Sequence, residues 1–264
     1  MSRSIPKWLS GILESLELER PEFVTTSDME RLLSDTDISI PARVVASRLR
    51  ERGWLLETSQ RGVWEFVPAE VAGAFSTSDP LMALKAFMLA NPLVECALTF
   101  QSAAWALGFA NRVPRHIEVA FAEQPKVKVP EDIALSTYRP ALSTKQVKGV
   151  PTLPPEAIII HMVQRPSAVR SWHSATEWLS DVAYELIVDD LLFELEGRTP
   201  SVWARTGYLL QGMRPDVAEA IESIYSPKTK ARFGSVGKAL RNDEHWKVSD
   251  RLLPFDPRTL EELK

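Results

Sequence analysis

One stretch constrains the fold of this chain more than any other: residues 41–68, PARVVASRLRERGWLLETSQRGVWEFVP. Ala42, Ala46 and Leu49 recur at the spacing of one buried helix face, with Ser39 placed to cap, Pro41 tolerated in the first turn and Gly53 as the stop. Trp54 to Thr58 and Val63 to Val67 are rich in β-branched and aromatic residues, and SQRG between them is a glycine-containing turn of hairpin length. A short helix therefore runs through one glycine into a small hairpin.

Upstream, Ile5, Trp8, Leu9, Ile12, Leu13 and Leu16 share one face of a first helix. Thr25 and Asp28 have the spacing of a capping box, and Met29, Leu32 and Leu33 follow as the apolar stripe of a second helix. The order is helix, helix, helix, strand, strand, which predicts a winged helix-turn-helix.

Charge is divided unevenly over this segment. Residues 41–61 hold Arg43, Arg48, Arg50, Arg52 and Arg61 against Glu51 and Glu57, a local charge of +3, whereas residues 1–40 carry eight acids against four bases. Arginine's planar fork suits both phosphate oxygens and guanine edges, so the positive face is read as a surface for double-stranded DNA. Arg43, Val44, Ser47 and Arg48, opposite the apolar positions, are the candidates for base edges; Arg50 and Arg61 are the candidate phosphate anchors. Two plainer readings stand beside this one: a solvated helix face, and a winged helix used to dock a protein.

The segment PAEVAGAFSTSDP, small, polar and punctuated by proline, marks a junction near residues 69–79 and predicts domains at 1–72 and 79–264. The second domain opens with a helix near Pro80 to Leu89 and another from Thr99 to Leu107, followed by an alternating strand at HIEVAF. PKVKVPED reads as a loop or edge strand, LSTYR as one more strand, and the pattern from Pro154 onward as mostly helical. Ser174 to Glu177 has capping-box spacing, Gly197 ends a helix, and Thr199 before Pro200 starts another. HWKVSDRLLP returns to a strand-like composition. The expected class is α+β, with a winged helix followed by a larger, mixed but mostly helical domain.

Signatures of catalysis are missing from the sequence. No two of His116, His161, His173 and His245 stand four residues apart as in a helix-borne zinc site, and one cysteine, Cys96, makes neither a zinc ribbon nor an internal disulfide. FGSVGKAL fails as a phosphate loop, since Arg232 occupies the position of its first glycine and Ala239 that of its Ser or Thr. Asp189, Asp190, Glu194 and Glu196 read as a solvated acidic face. Trp172, Trp178 and Trp203 fall at apolar helical positions and read as core. No metal or cofactor is expected. The net charge of −4 excludes a protein that coats nucleic acid by total charge, and no run approaches the ~18 apolar residues of a membrane span. The N-terminal stretch lacks a signal-peptide pattern, so the expected location is the cytoplasm. A second basic run holds Lys228, Lys230, Arg232, Lys238 and Arg241 with no acid between residues 226 and 241; it is either an electropositive patch or a mobile basic loop.

IPKWLSGIL, RPEFVTTSDMERLL and LRERGWLLETSQRGVWEFVP, then SDPLMALKAFM, TFQSAAWALGF, RPSAVRSW, GRTPSVWARTGYLLQ and HWKVSDRLLP, resemble successive pieces of the AbiEi-type antitoxins of abortive-infection (type IV) toxin-antitoxin systems. The resemblance implies an autorepressor that binds operator repeats through its winged helix and counteracts a nucleotidyltransferase-like toxin. It implies no enzyme activity, and it carries no residue across for toxin neutralisation. The alternatives are a stand-alone regulator whose second domain senses a ligand, and an enzyme targeted by its winged helix.

Overall fold

The computed structural model describes residues 6–34, 36, 39–71, 79–234 and 237–260. The chain divides into two units, Met1–Val94 with Lys128–Asp132, and Glu95–Val127 with Ile133–Lys264.

In the first unit a short 3-10 turn leads into α1 (Ser10–Glu19), β1 (Phe23–Thr25), α2 (Thr26–Ser34), α3 (Ala42–Glu51), β2 (Leu55–Glu57), β3 (Val63–Phe66) and α4 (Met82–Ala90). Leu9, Ile12, Leu13 and Leu16 are buried as their spacing predicts, with Trp8 packed against them; Ile5 lies outside the described residues. They share one core with Met29, Leu32, Leu33, Ala42, Val45, Ala46, Leu49, Trp54, Leu55 and Phe66. Each fully buried leucine there contributes about 1.5–3 kcal/mol. The capping box forms as read: the Thr25 amide donates to Asp28 at 2.9 Å and the Asp28 amide donates to Thr25 Oγ1 at 3.1 Å.

Ser39, by contrast, does not cap α3. The flanking residue is Pro41, whose ψ of 137° is extended and whose carbonyl accepts from Val44 and Val45, so the helix cannot begin earlier.

β2 and β3 form the expected antiparallel hairpin, pairing Leu55 with Phe66 and Glu57 with Trp64. β1, too short to show alternation in the sequence, adds to the other edge of β3 through Phe23–Glu65 and Thr25–Val63, giving the order β1-β3-β2. The turn needs Gly62: its φ is +78°, and an added Cβ would meet Thr26 Oγ1 at 2.8 Å. The helix expected to open the second domain is α4, and it belongs to the first unit instead. It packs on β3, and Lys85 donates to Glu22 at 2.6 Å and Asp79 at 2.7 Å. The first unit thus runs on to Val94 and takes in Lys128–Asp132 as well, whereas the junction was expected near residues 69–79, of which 72–78 lie outside those described.

The second unit contains β4 (Cys96–Leu98), α5 (Phe100–Leu107), β5 (Ile117–Phe121), β6 (Ile133–Thr137), β7 (Lys145–Val147), β8 (Val150–Thr152), α6 (Pro155–Gln164), α7 (Trp172–Ala175), α8 (Leu179–Tyr184), α9 (Val188–Leu195), α10 (Pro200–Leu210), α11 (Pro215–Ile224), β9 (Ala231–Phe233), β10 (Arg241–Asp243) and β11 (Val248–Asp250). A five-stranded sheet has the order β6-β5-β4-β8-β7, and a three-stranded sheet the order β10-β11-β9. The expectation of a mostly helical domain understated these sheets, because β7 to β11 are three-residue strands with no readable alternation. β5, expected to alternate, is buried at all five positions, since it pairs on both edges. α6 is apolar around most of its circumference and is buried from Pro155 to Val163, the pattern of a central helix. The cap expected at Ser174 is made by Ser171, whose Oγ accepts from the Ser174 amide at 3.0 Å. Trp172 and Trp178 are core, as read, while Trp203 is half-buried against Tyr225.

Candidate nucleic-acid interface

α3 turns Ala42, Val45, Ala46 and Leu49 inward, which leaves Arg43, Val44, Arg48 and Arg50 exposed and Ser47 half-buried. Val44 is 38% exposed, an apolar side chain standing among the cations. Two of the arginines are tethered. Arg48 pairs with Glu51 at 3.4 Å, Ser47 Oγ donates to the same carboxylate at 3.5 Å, and Arg50 pairs with Glu57 on β2. All four charged groups of these pairs are more than 40% exposed, so each pair contributes at most about 1 kcal/mol and exchanges readily with another anion. Arg43 on the helix and Arg61 at the hairpin tip are exposed and have no ion-pair partner among the described residues.

The hairpin tip is held rigidly for its size. Thr58 Oγ1 donates to the Val63 carbonyl at 2.8 Å and accepts from the Gln60 amide at 3.1 Å, and the Thr26 amide donates to the Gly62 carbonyl at 3.0 Å. The last bond ties the tip to the start of α2, so Arg61 projects from a braced turn.

The second basic run separates into two parts. Lys228, Lys230, Arg232 and Lys238 are exposed. Arg241 is not part of an open patch: on β10 it bonds Asp250 at 2.8 Å and also donates to the Leu253 carbonyl. The Asp250 carboxylate, which has no solvent exposure and also accepts from Tyr208, is the counter-ion of Arg241. The expectation of a loop is also corrected, since β9 and β10 place part of this run in a sheet.

A polar cluster in the second unit escaped the sequence. Glu194, read as solvated, is fully buried; it accepts from the Tyr138 hydroxyl, from the Ala141 and Leu142 amides at 2.8 and 2.9 Å, and from Arg198 at 2.5 Å. Arg198 also covers the Tyr138 ring at 4.6 Å. His161 stacks on that ring at 4.4 Å and on Phe100 at 4.3 Å, with Nδ1 2.7 Å from Thr99 Oγ1. Burial, followed by the charges of Arg165 and Arg198, drives the His161 pKa down to about 3, so its ring is neutral. Phe100, whose ring packs against His161, holds a left-handed φ of 48°. Glu118 on β5 accepts from the Ser102 amide at 3.3 Å, and burial raises its pKa to about 7. The Glu194 and Arg198 spacing of four residues was the one available signal. Among the described residues no group of three or more His, Cys, Asp or Glu is placed to hold a metal, and no helix is long and apolar enough to cross a membrane.

The chain is similar over its whole length to the crystal structure of the RV2827C protein from Mycobacterium tuberculosis, with a TM-score of 0.78, 24% identity, and coverage of 100% of this chain and 97% of that one. That likeness concerns the fold. No curated protein matches the chain. Residues 96–212 match the family described as the AbiEi antitoxin C-terminal domain, a span that runs from β4 past α10 and contains the Tyr138, His161, Glu194 and Arg198 cluster. This match supports an AbiEi-type antitoxin domain over residues 96–212.

Proposed function

We propose that the chain is a transcriptional autorepressor and antitoxin: its N-terminal unit is a winged helix-turn-helix that binds double-stranded operator repeats, and its AbiEi domain counteracts a cognate nucleotidyltransferase-like toxin. The observation that carries the DNA reading is the pair of unpartnered, exposed guanidinium groups, Arg43 on α3 and Arg61 on the hairpin tip. In this reading α3 enters the major groove. Arg43 takes a guanine edge, Val44 packs on a thymine methyl, and Ser47 completes the base contacts. Arg48 and Arg50 exchange Glu51 and Glu57 for phosphates, and Arg61 anchors the backbone beside the groove.

The role is regulatory rather than catalytic, in keeping with the family. One winged unit reads a short segment, so two copies on repeated sites supply the selectivity. Co-expression of the full chain with the toxin encoded beside it, together with a reporter driven by its own promoter, tests both halves. Repression and restored growth are expected; an unrepressed reporter contradicts the DNA reading, and unrelieved toxicity contradicts the antitoxin reading.

A further inference from the structure

An open cavity of about 590 Å³ in the second unit is lined by Arg165, Arg205 and Arg232, with Gln164, Ser167 and Gly234 beside them. Three arginines line it, and among the described residues no carboxylate does. They come from three elements: Arg165 follows α6, Arg205 lies on α10, and Arg232 lies on β9. None of the three has an ion-pair partner among the described residues. A second cavity, of about 450 Å³, sets Lys145 against Glu156, Glu185 and Asp190, and so has no preference for anions.

Arg205 is the informative member. Its Nη1 donates to the Val163 carbonyl at 3.1 Å, but its Nε is buried with no hydrogen-bond partner. A partly buried guanidinium with neither a counter-ion nor a full set of acceptors is unfavourable unless an anion joins it. Burial accordingly lowers the Arg205 pKa. The surroundings hold the arrangement in place: α10 packs against both α6 and β9, and Phe233, next to Arg232, meets the Trp172 and Tyr208 rings at 5.3 and 6.1 Å. The C-terminal end of α6 opposes an anion with roughly half an elementary charge, against three full positive charges. The positive charges win.

We propose that this cavity binds the phosphate group of a small phosphorylated ligand. Guanidinium forks match phosphate oxygens in geometry as well as charge, and three of them lining one cavity suit a group bearing two or more negative charges. The site is separate from α3 and the hairpin, and does not depend on the DNA reading.

Calorimetric titration of the full chain with inorganic phosphate, with ATP and with adenosine tests it. One phosphate or one ATP per chain is expected, with no binding of adenosine. Arg165→Ala and Arg232→Ala, both at exposed positions, should each weaken binding about tenfold, the effect of one charged hydrogen bond, while melting temperatures stay unchanged. ATP binding tighter than phosphate identifies a nucleotide as the ligand; equal affinity identifies the phosphate group alone. The proposal is overturned by dissociation constants weaker than roughly 10 mM for both. It is equally overturned by affinities that survive both alanine changes, or that vanish in Arg43→Ala and so belong to α3.

Discussion

Arg50, near the end of α3, is ion-paired with Glu57 at the end of β2, so the cationic helix and the hairpin are joined by charge across the turn at Gly53. In the proposed DNA complex that carboxylate competes with phosphate for the same guanidinium. Glu57→Gln should therefore remove the competitor for Arg50 and raise affinity for any duplex several-fold. Because both groups are exposed, its stability should change by less than about 1 kcal/mol. Binding isotherms at one fixed salt concentration check this; an unchanged affinity counts against Arg50 as a phosphate contact.

The capping box gives a prediction for the N-terminal unit. Thr25→Ala removes the Oγ1 acceptor of the Asp28 amide and should lower stability by about 1 kcal/mol. Denaturant unfolding followed by tryptophan fluorescence measures it, and an unchanged midpoint refutes the capping role.

Much of this unit was legible because its signals are local. Ala42, Ala46 and Leu49 repeat within one helix, Thr25 and Asp28 are three residues apart, and SQRG sits between two strands. β1 was not legible, since three residues show no alternation, and its partner β3 lies about forty positions on. The same limit hid the Arg50 and Glu57 pairing: exposed charges on separate elements have no sequence period linking them. In the second unit Glu194 looked like one acid of a solvated run, and only the approach of Tyr138 and the Ala141 and Leu142 amides, more than fifty residues away, explains its burial. The arginines of the cavity were out of reach for the same reason, coming from just after α6, from α10 and from β9.

Glu194 anchors the second unit. Glu194→Ala leaves Arg198 without its counter-ion and the Tyr138 hydroxyl and two amides without their acceptor, and should destabilise the domain by about 3–5 kcal/mol. Thermal unfolding tests it, and a loss below about 1 kcal/mol would mean the network is solvated in practice.

Glu118 gives a pH signature. Its folded pKa of about 7 lies above the ordinary value of 4.5, so the folded state holds a proton that the unfolded chain has released between those limits. Stability from this group is full below about pH 4.5 and lost as pH rises through 7, by up to about 3 kcal/mol. His161, depressed to about 3, runs the other way: its contribution is lost as pH falls from about 6.5 toward 3. Comparison with Glu118→Gln separates the two, because the variant should gain stability over wild type as pH climbs from 5 to 8. A difference that stays constant with pH contradicts it.

Gly207 on α10 faces Trp246 so closely that an added Cβ would lie 2.2 Å from its ring. Trp246 is 2% exposed and cannot swing away without opening the core. Gly207→Ala should therefore destabilise by about 1–3 kcal/mol or more, seen as a lower unfolding midpoint; wild-type stability would show that the indole can shift.

The central claim rests on Arg43 and Arg61, and fluorescence anisotropy on labelled promoter DNA and a scrambled duplex tests it most directly. Arg43→Ala should lower affinity for promoter DNA by about 1–3 kcal/mol and reduce discrimination against the scrambled duplex. Arg61→Ala should weaken both duplexes alike and flatten the salt slope by about 0.9. If both variants bind both duplexes as wild type does, α3 and the hairpin are not the DNA-reading surface.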